Sequence, residues 1–176
     1  MKTLETERLI LRAWTPEDAD DFYEYAKHPE VGLNGGWPPH TSRDESRQVI
    51  QYFIEANDIW AIVCKESGRV IGSVGLHADN KRPNIKVKEL GFVLGADHWG
   101  KGLATEAARC AIAHAFADME LDLVSTYHKT FNARAKRVIE KCGFTCEGIL
   151  RQASRRYDAQ IFDAACYSVL RSEYVN

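Results

Sequence analysis

One run constrains this chain more than any other: Glu89-Leu-Gly-Phe-Val-Leu-Gly-Ala-Asp-His-Trp-Gly-Lys-Gly-Leu-Ala-Thr-Glu106. It leads from a strand pattern over Val87 to Leu94, through a turn carrying Gly100 and Gly102, into the longest helix the pattern predicts, Leu103 to Leu121. The helix stripe is Ala104, Ala107, Ala108, Ala111, Ile112, Ala115, Phe116 and Met119, mostly small residues that let a helix lie close on a sheet. Glycines without side chains let a ligand reach the backbone. The first turn of a helix presents unpaired N–H groups with partial positive charge. Together they predict a socket for an anion, phosphate above all.

The remaining pattern surrounds this unit with short strands and helices. Leu9 to Arg12 reads as a first strand, and Thr15-Pro16-Glu17-Asp18 as a capped helix start. Gly32 to Pro39 reads as a loop, and Ser42 to Glu45 as a capping box before a helix with Val49, Ile50, Phe53 and Ile54 on one face. Ile59 to Cys64 and Val70 to Leu76 form a hairpin about Glu66-Ser-Gly-Arg69. A strand over Leu121 to Tyr127 precedes a helix over Asn132 to Cys142 that Gly143 closes, and two strands end the pattern, Thr145 to Leu150 and Ala165 to Leu170. The order β-α-α-β-β-β-α-β-α-β-β predicts an α/β fold, a mixed sheet with helices packed on it, in one domain over residues 1–176.

Composition removes other classes. Apolar residues make up 45% and charged residues 27%, which suits a packed core. Lys and Arg number 23 against 25 Asp and Glu, so no broad cationic field favours nucleic acid or anionic lipid. No apolar stretch approaches the ~20 residues of a membrane helix, and the charged start lacks a signal-peptide core; a cytoplasmic protein is expected. The five cysteines lack a Cys-x-x-Cys pair and read as free thiols, which argues against a zinc site.

Three phosphate motifs compete for the glycine turn. Gly95 to Lys101 matches a P-loop except that Gly102 replaces the magnesium-binding hydroxyl. Gly100, Gly102 and Thr105 miss the third glycine of a dinucleotide fingerprint. The third is the acetyl-CoA loop [QR]-x-x-G-x-[GA], which Trp99-Gly-Lys-Gly-Leu-Ala104 matches from Gly102 on. With Thr6-Glu-Arg-Leu-Ile-Leu-Arg12 before it and Asn132 leading to Glu140-Lys-Cys-Gly-Phe144 after it, the chain resembles the GNAT N-acetyltransferases, in the branch that includes the ribosomal-protein N-terminal acetyltransferases.

The resemblance implies a splayed, mostly antiparallel sheet of six or seven strands with helices on both faces. It implies acetyl-CoA as co-substrate and no metal. Main-chain amides of Trp99, Gly100, Lys101, Gly102, Leu103, Ala104 and Thr105 would hold the diphosphate. Phe92, Val93 and Leu94 would pair with pantetheine as an added strand. A main-chain N–H near Val93 or Leu94 would meet the oxyanion. Asn132 would lie near the cofactor, or cap its helix, or both.

The resemblance implies an amine as acceptor, on a protein N-terminus or a small molecule such as a polyamine, an amino acid or an aminoglycoside-like drug, and a monomer or homodimer is expected.

Two positions depart from the family pattern. The thiol-acid Tyr is replaced by Ile139, and the Ser of the ribosomal branch by Ala135. Glu89 is the candidate base, directly or through water, with His77, Tyr127 and His128 as rivals. Trp37 and Trp60 read as packing residues, and Lys136, Arg137 and Lys141 as a solvated helix face from which one side chain reaches the ribose phosphate. Two alternatives accompany this reading: a coenzyme-binding module without catalysis, and a nucleotide-binding enzyme.

Overall fold

The computed structural model describes residues 1–174; the last two positions of the expected 1–176 domain lie outside them. The elements in order are β1 (Leu4–Glu5), β2 (Leu9–Arg12), α1 (Ala19–Ala26), α2 (Pro29–Gly35), α3 (Arg43–Ala56), β3 (Ile59–Cys64), β4 (Val70–Ala78), β5 (Val87–Leu94), α4 (Leu103–Ala117), β6 (Leu123–Lys129), α5 (Ala133–Lys141), β7 (Thr145–Arg155) and β8 (Ile161–Leu170).

The strands form one sheet in the order β1-β2-β3-β4-β5-β6-β8-β7. Among the described residues it has eight strands, not six or seven. β1 is only two residues long, too short for any periodicity to reveal. A second difference is α2, where a loop was expected from Gly32 on. Pro29 stands in its first turn, and Gly36 closes it in the left-handed region at φ 98°. The helix α4 stops at Ala117, four residues before its expected end, because Glu120 turns the chain at φ 53°.

Helices cover both faces. Alternate residues of β3 divide between two cores: Trp60 and Ile62 pack with α4, and Ile59, Ala61 and Val63 with α1 and α3. Burial on both sides explains why Ile59–Cys64 is an unbroken apolar run. The alanines Ala107, Ala108, Ala111 and Ala115 are fully buried, the close helix-to-sheet seat their size predicts.

One feature of the sheet creates the site. Among the described residues β5 and β6 are the one parallel pair, and they pair over Val87–Leu123, Lys88–Val124 and Glu89–Ser125. Beyond Glu89 they part. The Thr126 hydroxyl donates to the Leu90 carbonyl at 2.9 Å, where a main-chain donor would otherwise continue the ladder. β5 then runs to Leu94 held only by β4, and β6 to Lys129 held only by β8.

Candidate active site

Strand alternation sorts the main-chain groups of β5. The Leu90 carbonyl faces β6, so Phe92 and Leu94 face the opened gap as well. Val93 faces β4, and a Cβ on Gly72 would stand 2.2 Å from its carbonyl oxygen. Val93 therefore lines the cleft but cannot offer its amide to a ligand strand; of the three residues expected to pair there, Phe92 and Leu94 can. The Leu94 carbonyl is already used, accepting from the Trp99 indole at 2.9 Å, which leaves its N–H as the candidate oxyanion donor.

A cleft of about 400 Å³ opens from the gap across the start of α4. Phe92, Val93, Leu94, Trp99, Gly100, Gly102, Leu103, Ala104, Thr105 and Asn132 all line it. Lys101 does not. Its side chain is exposed, and its carbonyl accepts from Arg8 Nη1 at 3.0 Å. Gly100 and Gly102 lie at φ 76° and 80°, where a side chain is strained.

Among the described residues no side chain caps α4, whereas Ser42 caps α3 by accepting from the Glu45 N–H at 3.2 Å. Glu45 itself reaches back to the Thr41 N–H at 2.7 Å, one residue further than a capping box requires. The first-turn amides of α4 are thus left facing the cleft.

Asn132 caps α5 through Oδ1, which accepts from the Ala135 N–H at 3.0 Å, and it lines the cleft too. Sequence reasoning missed Arg134. Its guanidinium lies 4.3 Å above the Trp99 ring and brings a cation to the position where the motif has Gln or Arg. Only the fold reveals this, because the two residues lie on different elements. Arg137 and Lys141 also line the cleft, while Lys136 pairs with Glu140 at 3.7 Å. Ile139, at the thiol-acid position, is fully buried in the core.

A second cavity of about 510 Å³ lies on the other side of the opened strands. Phe92, Val93, Asn132 and Ala135 belong to both walls, so the two spaces meet there. Glu89, His77, Tyr127 and His128 line the second. Glu89 Oε2 accepts from Lys81 Nζ at 2.8 Å. His77 Nδ1 lies 3.2 Å from Asp58. His128 Nδ1 lies 2.9 Å from the Lys129 carbonyl, which fixes that nitrogen as the donor and leaves Nε2 toward the Tyr167 hydroxyl at 3.4 Å. Trp60 is core, whereas Trp37 walls this cavity.

A strand-flanked anion socket that meets a second cavity is the arrangement of an enzyme that brings a phosphate-bearing co-substrate to an acceptor. The acetyltransferase (GNAT) domain model matches residues 8–145. The "Uncharacterized N-acetyltransferase p20" of Bacillus licheniformis is 31% identical over 99% of both chains. A GNAT-family acetyltransferase structure from Bacillus anthracis shares the fold at TM-score 0.88 and 21% identity, over 98% of this chain and 100% of that one. So does RimL, a ribosomal L7/L12 α-N-protein acetyltransferase in complex with coenzyme A, at 0.81 and 18%, over 96% and 98%. This chain belongs to the GNAT family and is an acetyl-CoA-dependent acetyltransferase that transfers acetyl to an amine. Among the described residues no helix is long and apolar enough to cross a membrane.

Proposed function

We propose that residues 1–176 act as one acetyltransferase domain that binds acetyl-CoA in the 400 Å³ cleft and its acceptor in the 510 Å³ cavity. The uncapped α4 start carries this reading, because its free amides suit a diphosphate. Arg134, Arg137 and Lys141 add cations to the same wall. Phe92 and the Leu94 N–H offer pantetheine an unpaired strand edge.

Acetyl transfer occurs by direct attack in a ternary complex. The neutral acceptor nitrogen forms a C–N bond with the thioester carbonyl carbon, and the C–S bond breaks to release the coenzyme thiolate. The Leu94 N–H donates to the oxyanion between these events. Glu89 takes the proton of the amine, directly or through water, and Lys81 holds the carboxylate in position. Ile139 and Ala135 offer the thiolate no proton, so solvent supplies it.

The acceptor is a protein N-terminus or a small amine. The test is thiol release from acetyl-CoA over a panel of amines and peptides, with coenzyme binding measured by calorimetry. No heat with acetyl-CoA would overturn the cleft assignment.

A further inference from the structure

The acceptor cavity contains a cation that the proposed reaction does not use. Lys129, the last residue of β6, is 8% exposed and lines the 510 Å³ cavity. Its ammonium has one polar contact among the described residues, the Asn34 carbonyl oxygen at 3.4 Å, long for an N–H···O bond. No carboxylate of those residues lies within 4.0 Å of it. Burial pushes its pKa down, and the Arg156 charge pushes the same way. A buried ammonium without a partner is costly, so such groups are normally matched by an anion.

The other acidic and basic side chains around this cavity have polar partners. Glu89 is held by Lys81 at 2.8 Å and His77 by Asp58 at 3.2 Å. Burial lowers the pKa of His40, which lies 2.8 Å from the Ser46 hydroxyl. Arg156 is bound by Asp158 at 3.0 and 2.5 Å and by Gln160 at 2.9 Å. The main chain makes room at the ammonium: a Cβ on Gly36 would stand 2.7 Å from Lys129 Nζ. Two of the three ammonium donors are left for a ligand.

We infer that Lys129 is a specificity residue for an acceptor that is a small amino-carboxylate, whose carboxylate pairs with this ammonium while its amine meets the thioester. This rests on the assignment of the two cavities to coenzyme and acceptor. A single lysine suits a singly charged carboxylate, whereas phosphate sites gather several donors, commonly arginine. The volume of about 510 Å³ lies in the range of small-ligand sites.

The test compares α-amino acids with their carboxamides, and with short peptides lacking acidic side chains and amidated at the C-terminus, by thiol release from acetyl-CoA. The unsubstituted enzyme is expected to favour at least one amino acid over its carboxamide by tenfold or more in kcat/KM. Lys129→Met is expected to lose that preference, Lys129→Arg to retain part of it, and both to bind acetyl-CoA with unchanged Kd. Equal use of carboxamides or amidated peptides, no turnover of any amino acid despite tight acetyl-CoA binding, or a preference that survives in Lys129→Met would overturn the inference alone. Absence of acetyl-CoA binding would instead overturn the coenzyme assignment beneath it.

Discussion

Glu106, in the first turn of α4, accepts from the Thr6 hydroxyl at 2.5 Å and from the Arg8 main-chain N–H at 2.9 Å and Nε at 2.7 Å. It joins two sequence motifs about 100 residues apart. Through Arg8 Nη1, which donates to the Lys101 carbonyl at 3.0 Å, it also braces the glycine loop. A neighbouring segment thus holds the loop from behind.

That bracing sets the first prediction. Glu106→Gln removes the charge on which the Arg8 contact depends and should lower stability by about 1–2 kcal/mol, read from urea unfolding. Burial raises the Glu106 pKa, but hydrogen bonds from Thr6 and Arg8 outweigh it, so the net direction is down. A carboxyl whose folded pKa lies below its unfolded value contributes stability above the unfolded pKa. The contribution is lost as pH falls through and below about 4.3. The stability difference between the two proteins should therefore shrink at acid pH. A pH-independent difference would contradict it.

Gly102 supplies the second. At φ 80° any side chain is strained, although a Cβ there would meet only Arg8 Nη2, at 3.6 Å. Gly102→Ala should cost about 1 kcal/mol of stability from backbone strain and should weaken acetyl-CoA binding. Gly102→Val should cost more, since a branched Cβ is poorly tolerated at positive φ. Unchanged melting temperature and coenzyme affinity in Gly102→Ala would refute the loop geometry.

Trp99 has two jobs that can be separated. Trp99→Phe keeps an aromatic face for Arg134 but removes the donor to Leu94, so the strand edge loses its anchor to the loop. A lost hydrogen bond of about 1 kcal/mol predicts roughly fivefold weaker acetyl-CoA binding. Trp99→Ala should weaken it further. Calorimetric titration of both variants decides this, and equal affinity in all three proteins would count against the anchor.

For Glu89 the expected signature is kinetic. Glu89→Gln should lower kcat by about 10²-fold or more at neutral pH while the acetyl-CoA Kd holds. The same change in His77 or His128 should have a smaller effect. If kcat in Glu89→Gln equals that of the parent enzyme, the proton leaves by another route.

Local patterns in the sequence determined the strand–turn–helix unit, the alanine face of α4, the Asn132 cap of α5 and the membership of the glycine loop. Each depends on residues within a few positions of one another, and periodicity and glycine placement report such short-range geometry directly. The departures at Ile139 and Ala135 were equally plain. Tertiary structure alone decided that Val93 turns to β4, that the Lys101 carbonyl meets Arg8, and that Arg134 covers Trp99. It also brought Glu106 to Thr6 and Arg8, and left Lys129 without a carboxylate partner among the described residues in the 510 Å³ cavity. These relations depend on which strand edge faces the gap and on which distant side chains enter it. They are fixed by the register of β5 against β4 and by the early parting of β5 from β6 after three residue pairs. The extra strand β1 and helix α2 escaped sequence reading for a related reason: two residues carry no period, and a seven-residue helix containing two glycines is held by its cap and its packing rather than by propensity.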